Sequence, residues 1–310
     1  MDEHAAKGRV TVVGSLNMDL VARAPRLPRP GETLAGHAFA QVPGGKGGNQ
    51  AVAAARLGAQ VAMIGCVGDD SNGATLKGSL EAEGIDCRAL ATSADAPTGV
   101  ALIVVDDASQ NAIVIVAGSN AEVSPERIVE QEALLAQADV IVCQLETPSE
   151  TVRAALAAGR RLKRTTILNP APAARKLPPD WFPLVDYLIP NEIEAATLSG
   201  VAIGSPDDAR RAAQALKAKG ARNVIVTLGA QGVLALLDGA GDDGVQLPSP
   251  QVEAIDTTAA GDTFIGGFAA ELARGAAAMD AIGFGQRAAA IAVTRAGAQP
   301  SIPHRGEISA

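Results

Sequence analysis

Residues 252–268 read Val-Glu-Ala-Ile-Asp-Thr-Thr-Ala-Ala-Gly-Asp-Thr-Phe-Ile-Gly-Gly-Phe. A strand-like apolar run ends at Ile255, a turn of small residues spans Thr257 to Gly261, and Asp262 opens an apolar helix continuing through Phe268 and Leu272. Small residues at a helix start leave backbone N–H groups unobstructed, and with the helix dipole they form an anion site. Asp262 stands beside that site. One reading makes it a helix-terminal carboxylate stabilised by the dipole. The other makes it a base that takes a proton from a hydroxyl while the N–H groups hold the phosphate that the hydroxyl attacks. The preceding Ala-Ala-Gly is hard to explain by capping alone and favours the second.

Outward from this segment, strand-like and helix-like runs alternate. Val10–Val13, Val61–Val67, Val140–Cys143, Thr166–Leu168, Tyr187–Ile189 and Val224–Thr227 are short, apolar and rich in β-branched residues. Between them lie runs of helical length, at Asn49–Leu57, Ala74–Glu83, Pro125–Ala136, Ser149–Leu162 and Asp207–Lys219. Continuous apolar strands separated by helices predict an α/β fold, a doubly wound and mostly parallel sheet sandwiched by helices. Leu16–Arg23 with Thr33–Gln41, and Gly99–Val105 with Asn111–Val116, read instead as paired strands without crossover helices, the second pair joined by a turn at Asp106–Gln110. They predict a small antiparallel β lid, drawn from about residues 16–24, 33–43 and 97–117 of a single domain covering 1–310.

In such sheets ligands bind beyond the carboxyl ends of the strands. Polar residues collect there: Ser15, Asn17 and Asp19, then Gln144 and Glu146, Asn169, Asn191, and Thr227 with Gly229. A second glycine-rich run, Gly44-Gly45-Lys46-Gly47-Gly48-Asn49-Gln50, leads into a helix. Its glycines permit close approach to a ligand, Lys46 offers a cation and Asn49 an amide for hydroxyls. It is not a P-loop, because Ala40 stands where the first glycine belongs and no Ser or Thr follows the lysine. Gly239–Gly244 matches G-x-G-x-x-G but leads into Val245-Gln246-Leu247-Pro248 rather than a helix, so it reads as a hairpin tip and gives no dinucleotide fingerprint.

Composition narrows the function classes. The 310 residues are 47% hydrophobic, enough for a sizeable core, and carry a net charge of −8 with no long basic run. A nucleic-acid or anionic-membrane partner is not expected. No apolar stretch approaches the ~20 residues that span a bilayer, and the polar N-terminus lacks a signal core, so a cytoplasmic location is expected. Cys66, Cys87 and Cys143 are widely spaced and predict neither disulfides nor a zinc site, and His4, His37 and His304 fall in expected loops or tails.

The motifs together carry a resemblance. Gly14-Ser15-Leu16-Asn17-Met18-Asp19, Gly44–Gln50, Gln144-Leu145-Glu146-Thr147-Pro148, Asn169-Pro170-Ala171-Pro172, Pro190-Asn191-Glu192-Ile193-Glu194, Thr227-Leu228-Gly229, Asp256–Phe264 and Val293–Ser301 keep the order found in the ribokinases. The Asp262 segment alone resembles the wider PfkB-type family of sugar and nucleoside kinases. The resemblance implies transfer of a phosphoryl group from ATP to the 5-hydroxyl of D-ribose. It implies a sugar site from Asn17, Asp19, Gly45, Lys46, Asn49, Glu146 and Asp262. On this reading Asp262 is expected to act as base, with the N–H groups of Ala259, Ala260 and Gly261 as anion donors. It implies an ATP site from Asn191, the loop Thr227, Leu228, Gly229, Ala230, Gln231 and Gly232, then Gly261 and Gln286. It also implies Mg²⁺ organised by Glu194 through water, and K⁺ held by Asp256, Thr258, Ala292, Arg295, Gly297 and Ser301. The alternative for Asp256 is an ion pair with Arg295. A homodimer through the lid is expected. The sequence departs from the family pattern at Gln286, where His or Asn is frequent, at Gly48, where Ala is usual, and in a shorter C-terminal segment. Rival readings are a kinase for 2-deoxyribose, a nucleoside or a ketohexose, and a non-catalytic sugar-binding regulator.

Overall fold

The computed structural model describes residues 8–108, 110–173, 177–239, 241 and 243–308. His4, Ser109 in the Asp106–Gln110 turn, and Ala240 and Asp242 of the Gly239–Gly244 run lie outside the described residues. The chain opens with β1 (Arg9–Val13), β2 (Asn17–Ala24), β3 (Ala38–Gly44), α1 (Lys46–Arg56), β4 (Gln60–Gly68), α2 (Ser71–Ala82) and β5 (Leu90–Ser93). It continues through β6 (Gly99–Asp106), β7 (Asn111–Val116), α3 (Pro125–Glu130), α4 (Glu132–Gln137), β8 (Val140–Cys143), α5 (Ser149–Arg161), β9 (Thr165–Leu168) and β10 (Tyr187–Leu188). The last elements are α6 (Glu192–Ser199), α7 (Pro206–Ala218), β11 (Asn223–Thr227), β12 (Val233–Leu236), β13 (Val245–Leu247), α8 (Ala260–Ala273) and α9 (Ala278–Ala292).

The main sheet has the order β13-β12-β11-β10-β9-β8-β1-β4-β5, parallel from β11 to β5 and antiparallel at β12 and β13. Both of its faces are covered, which is why the strands read as unbroken apolar runs. On β8, Val140 and Val142 enter one core while Ile141 and Cys143 enter the other. The first core takes side chains from α1, α2, α8 and α9, such as Val52, Leu80, Phe268 and Ile282. The second takes them from α3 to α7, such as Ile128, Leu135, Leu156, Leu198 and Leu216. The three cysteines are free and buried in this packing.

Because β1, β8, β9, β10 and β11 run in one direction, the residues that follow them gather at one edge. Over that edge stands a four-stranded sheet in the order β3-β2-β6-β7. Its two hairpin pairs are antiparallel, and β2 and β6 pair in parallel between them. Met18 is buried in the first core with Leu20 and Val100 packed beside it, so the small sheet is rooted in the main body. Farther out it is bare, with Phe39, Leu102, Ile113, Val114, Ile115 and Val116 exposed.

Some boundaries differ from the sequence reading. The apolar run before the Asp262 turn is not a strand: Val252 and Ile255 are 45% and 68% exposed, so nothing packs on them to stabilise one. β3 begins at Ala38 rather than Thr33, and Pro125–Ala136 divides at Gln131 into two short helices. Helix α8 starts at Ala260, ahead of Asp262.

Candidate active site

Helix α1 delivers much of the polar chemistry, and glycine lets it do so. Gly45 caps the helix at φ 82°, and a Cβ there would come within 2.7 Å of the Asn17 backbone nitrogen. A Cβ on Gly47 would lie 2.6 Å from the Ser15 nitrogen. The glycine run is therefore not a flexible loop. It is the first turn of a helix pressed onto the β1–β2 connection, which aims Lys46, Asn49 and Gln50 across the sheet edge. Glu146, just beyond β8, accepts hydrogen bonds from the Ser15 hydroxyl at 2.5 Å and the Lys46 backbone N–H at 3.0 Å.

Asp262 enters from the opposite side on the first turn of α8 and is 8% exposed. Its Oδ2 accepts from Asn49 Nδ2 at 2.9 Å and its Oδ1 from Gln50 Nε2 at 2.8 Å. Burial raises the pKa of its carboxyl, against the pull of the Lys46 ammonium and the two amide donors. Burial likewise disfavours the charged Lys46, but Asp262, Glu146 and Glu194 together hold its pKa above the ordinary lysine value.

Asp19 on β2 lies so close over Gly44 that a Cβ there would meet its Oδ2 at 2.3 Å. Burial, followed by the charges of Glu146 and Asp262, pushes its pKa up to about 7. Asn17 is oriented by a residue the sequence reading did not single out: Asn120 Nδ2 donates to Asn17 Oδ1 at 2.8 Å and to the Leu16 carbonyl at 2.9 Å. Gln144, a polar residue at a strand end, and Gln50, the last residue of the glycine-rich run, carry no assigned role in the sequence reading. Each is buried, and their partners lie about a hundred residues or more away, a separation that leaves no local signature. Asn17, Asp19, Gly45, Lys46, Asn49, Glu146 and Asp262 thus come from four segments to one polar cluster.

A cavity of about 360 Å³ adjoins this cluster, with Lys46 and Asp262 in its wall. Asn191, Glu194, Thr227, Gly229, Gly232, Gly261 and Gln286 also line it. Leu228 does not: its side chain is buried in the second core. Ala230 and Gln231 are exposed and do not line it either. Gly232 has φ 93°, and a Cβ there would strike the Leu247 carbonyl at 2.0 Å, so any side chain would strain this turn. Gln286 Nε2 donates to the Leu247 and Pro248 carbonyls at 3.1 and 3.3 Å, so this amide braces the cavity wall. Glu194 and Asn191 form a reciprocal helix cap, with both Glu194 oxygens accepting from Asn191 at 2.9 and 3.0 Å.

The three anion-donor residues are not equivalent. Ala259 is buried and outside the cavity lining. The Ala260 N–H donates to the Thr257 carbonyl at 3.2 Å, closing the turn. Gly261 faces open space, with no atom within 4 Å of where a Cβ would stand. Behind the turn, Asp256 accepts from Thr258 N–H at 3.0 Å, the Thr258 hydroxyl at 2.5 Å and Gly297 N–H at 2.9 Å. Burial opposes its charge, but these donors win and hold its pKa below the usual value. Asp256 does not pair with Arg295, whose guanidinium is held by Glu307 at 2.5 Å. Ala292 and Ser301 are buried near by, in the segments leading to and from Gly297. No group of three or more His, Cys, Asp or Glu side chains among the described residues is placed to hold a metal ion.

A buried carboxylate at a helix start, between a cluster of polar side chains and a cavity of about 360 Å³, suits a kinase acting on a small polyol. The family model for pfkB family carbohydrate kinases matches residues 7–305, and the chain belongs to that family. It is 45% identical to a ribokinase of Haemophilus influenzae over 96% of each chain, and 38% identical to a deoxyribokinase of Salmonella typhi over 95% of each. Its fold is similar to the solved structure of an Arabidopsis thaliana ribokinase complexed with ribose and ATP, with a TM-score of 0.91, 28% identity and 97% coverage of both chains.

Proposed function

We propose that the protein transfers the γ-phosphoryl group of ATP to the 5-hydroxyl of D-ribose. The observation that carries this reading is the position of Asp262, buried between the Asn49–Lys46–Asp19 cluster and the 360 Å³ cavity, at a helix start whose Gly261 backbone is open. In the proposed step Asp262 accepts the hydroxyl proton as the oxygen attacks phosphorus. The Gly261 end of α8 and the Lys46 ammonium stabilise charge on the transferring group, so the rate gain comes from positioning and electrostatics.

Asn17, Asp19, Lys46, Asn49 and Glu146 hold the sugar in this reading, and Asn191, Thr227, Gly229 and Gly232 border the nucleotide. Glu194, a buried carboxylate in the cavity wall, suits a role in organising Mg²⁺ through water. When bound, that ion neutralises charge on the ATP phosphates. Asp256 and the neighbouring carbonyls are a donor set suited to a large monovalent cation such as K⁺. The exposed apolar side chains of β7, with Leu102 on β6 and Phe39 on β3, fit a homodimer formed through the small sheet, which acts as the lid of a single catalytic unit. No helix among the described residues is long and apolar enough to cross a membrane, and we assign a cytoplasmic location.

The likeness to a deoxyribokinase favours one alternative, 2-deoxyribose as acceptor. An ADP-coupled assay across ribose, 2-deoxyribose, ketohexoses and nucleosides separates the readings. Ribose is expected to give the highest kcat/KM. Higher kcat/KM with 2-deoxyribose would transfer the assignment, and no sugar-dependent ADP would leave a binding protein.

A further inference from the structure

The two amides on Asp262 have different surroundings. Asn49 belongs to the group assigned to the sugar. Gln50 is 1% exposed, does not line the cavity, and is held from behind. Gln144 Nε2 donates to Gln50 Oε1 at 2.6 Å, while Gln50 Nε2 reaches both Asp262 Oδ1 at 2.8 Å and Asn169 Oδ1 at 3.2 Å. Gln144 is itself fully buried, and its Oε1 lies where a Cβ on Gly14 would come within 2.0 Å. No hydrogen-bond partner for that oxygen is present among the described residues.

An amide engaged at both ends has a polarity. Turning Gln50 over would set its oxygen against the Asp262 carboxylate and its NH₂ against the NH₂ of Gln144. The two acceptors Asp262 Oδ1 and Asn169 Oδ1 fix which end of Gln50 faces Asp262, and Gln144 supports that orientation by donating to the other end. Asn49 has no protein partner at its far end: its Oδ1 is buried without one among the described residues, which leaves that oxygen for a ligand.

We propose that Gln50, oriented by Gln144, is the positioning residue of the reaction: it keeps the Asp262 carboxylate aimed at the acceptor hydroxyl while Asn49 is drawn to the sugar. The inference rests on the phosphoryl-transfer reading above. The charged groups around Asp262 are Lys46 on α1, Glu146 beyond β8, Glu194 on α6 and Asp19 on β2. None of them takes the place of a donor on Oδ1 among the described contacts. A hydrogen bond to a carboxylate favours its charged form, so removing that bond moves its titration to higher pH.

The test uses Gln50→Met, which keeps length and volume but has no N–H, with Gln144→Leu and the double variant. At neutral pH Gln50→Met is expected to lose about tenfold in kcat with ribose KM within about threefold, and the acid limb of kcat to move up by about one pH unit. Gln144→Leu should move the limb in the same direction by less, and the double variant should be no worse than Gln50→Met. The Asp262 carboxyl is followed separately by ¹³C NMR without substrates, assigned with Asp262→Asn, and its midpoint should rise with the kinetic limb. That spectrum judges Gln50 even if ribose proves not to be the substrate. A folded Gln50→Met with unchanged midpoint and unchanged acid limb overturns the proposal, as does strict additivity in the double variant. If Gln50→Met does not fold, the Gln144→Leu spectrum decides: an unmoved midpoint rejects the proposal.

Discussion

Replacing Asp262 with Asn tests the base most sharply, because the structure separates its catalytic from its structural role. Both carboxylate oxygens accept from amides, Asn49 at 2.9 Å and Gln50 at 2.8 Å. Asparagine keeps the shape but presents an NH₂ to one of those donors, leaving a buried donor unpaired at about 1–3 kcal/mol. Against this, a neutral amide removes a buried charge whose ionisation the site opposes. The opposing effects are of similar size, so Tm should stay within about 3 °C and ribose should still bind. The loss falls on the chemical step. Removing a general base costs about 10²–10⁴ in rate, which is about 2.7–5.4 kcal/mol of barrier. The assay is ADP-coupled turnover at saturating ribose and ATP, beside calorimetric ribose binding. A variant that binds ribose and keeps kcat within about threefold of wild type would falsify the base assignment.

Other outcomes follow from neighbouring residues. Asp19 has a pKa of about 7 in the fold against an ordinary value of 3.8, so the folded state holds a proton that the unfolded chain has released between those limits. Its stabilising contribution is therefore complete below the unfolded value and is lost as pH rises through 7. Sugar hydroxyls donating to Asp19 need the ionised form, so ribose affinity should fall by up to about tenfold per pH unit below 7. Asp19→Asn should flatten that dependence, and a Kd constant from pH 5.5 to 7.5 in the wild type would contradict it. K⁺ should activate turnover in a buffer made with a bulky organic cation, and Asp256→Ala should abolish the response. Equal rates with and without K⁺ would remove the ion from the account. Gly232→Ala should lower stability by roughly 1–3 kcal/mol in thermal unfolding, because its Cβ meets the Leu247 carbonyl at 2.0 Å. Gly229→Ala, with open space around it, should do so less, and equal effects would argue against the steric reason.

The parallel core was legible because strands buried on both faces must be apolar, and Val140–Cys143 and Val224–Val226 show nothing else. The same rule misled at Val252–Ile255, where apolar residues stay exposed and no strand forms. Gly47 and Gly48 resemble loop residues, yet they are helical because their missing side chains admit the β1–β2 turn. Asp262 and Lys46 stand out locally through the small residues around them. Asn120 and Gln50 do not, and Gln144 shows only as a polar strand end, since their roles exist only through partners brought in by the sheet. The hairpin tip read at Gly239–Gly244 does join an antiparallel pair, β12 and β13, although these short strands were not themselves delimited.

The central claim concerns which oxygen is phosphorylated and on which sugar. The direct measurement is ¹³C and ³¹P NMR of the product formed from uniformly ¹³C-labelled ribose, ATP and Mg²⁺ with the purified protein. The account predicts a single phosphate monoester whose phosphorus couples to C5, formed in step with ADP. Phosphorus coupled to C1, or ATP consumed without a ribose ester, would contradict it.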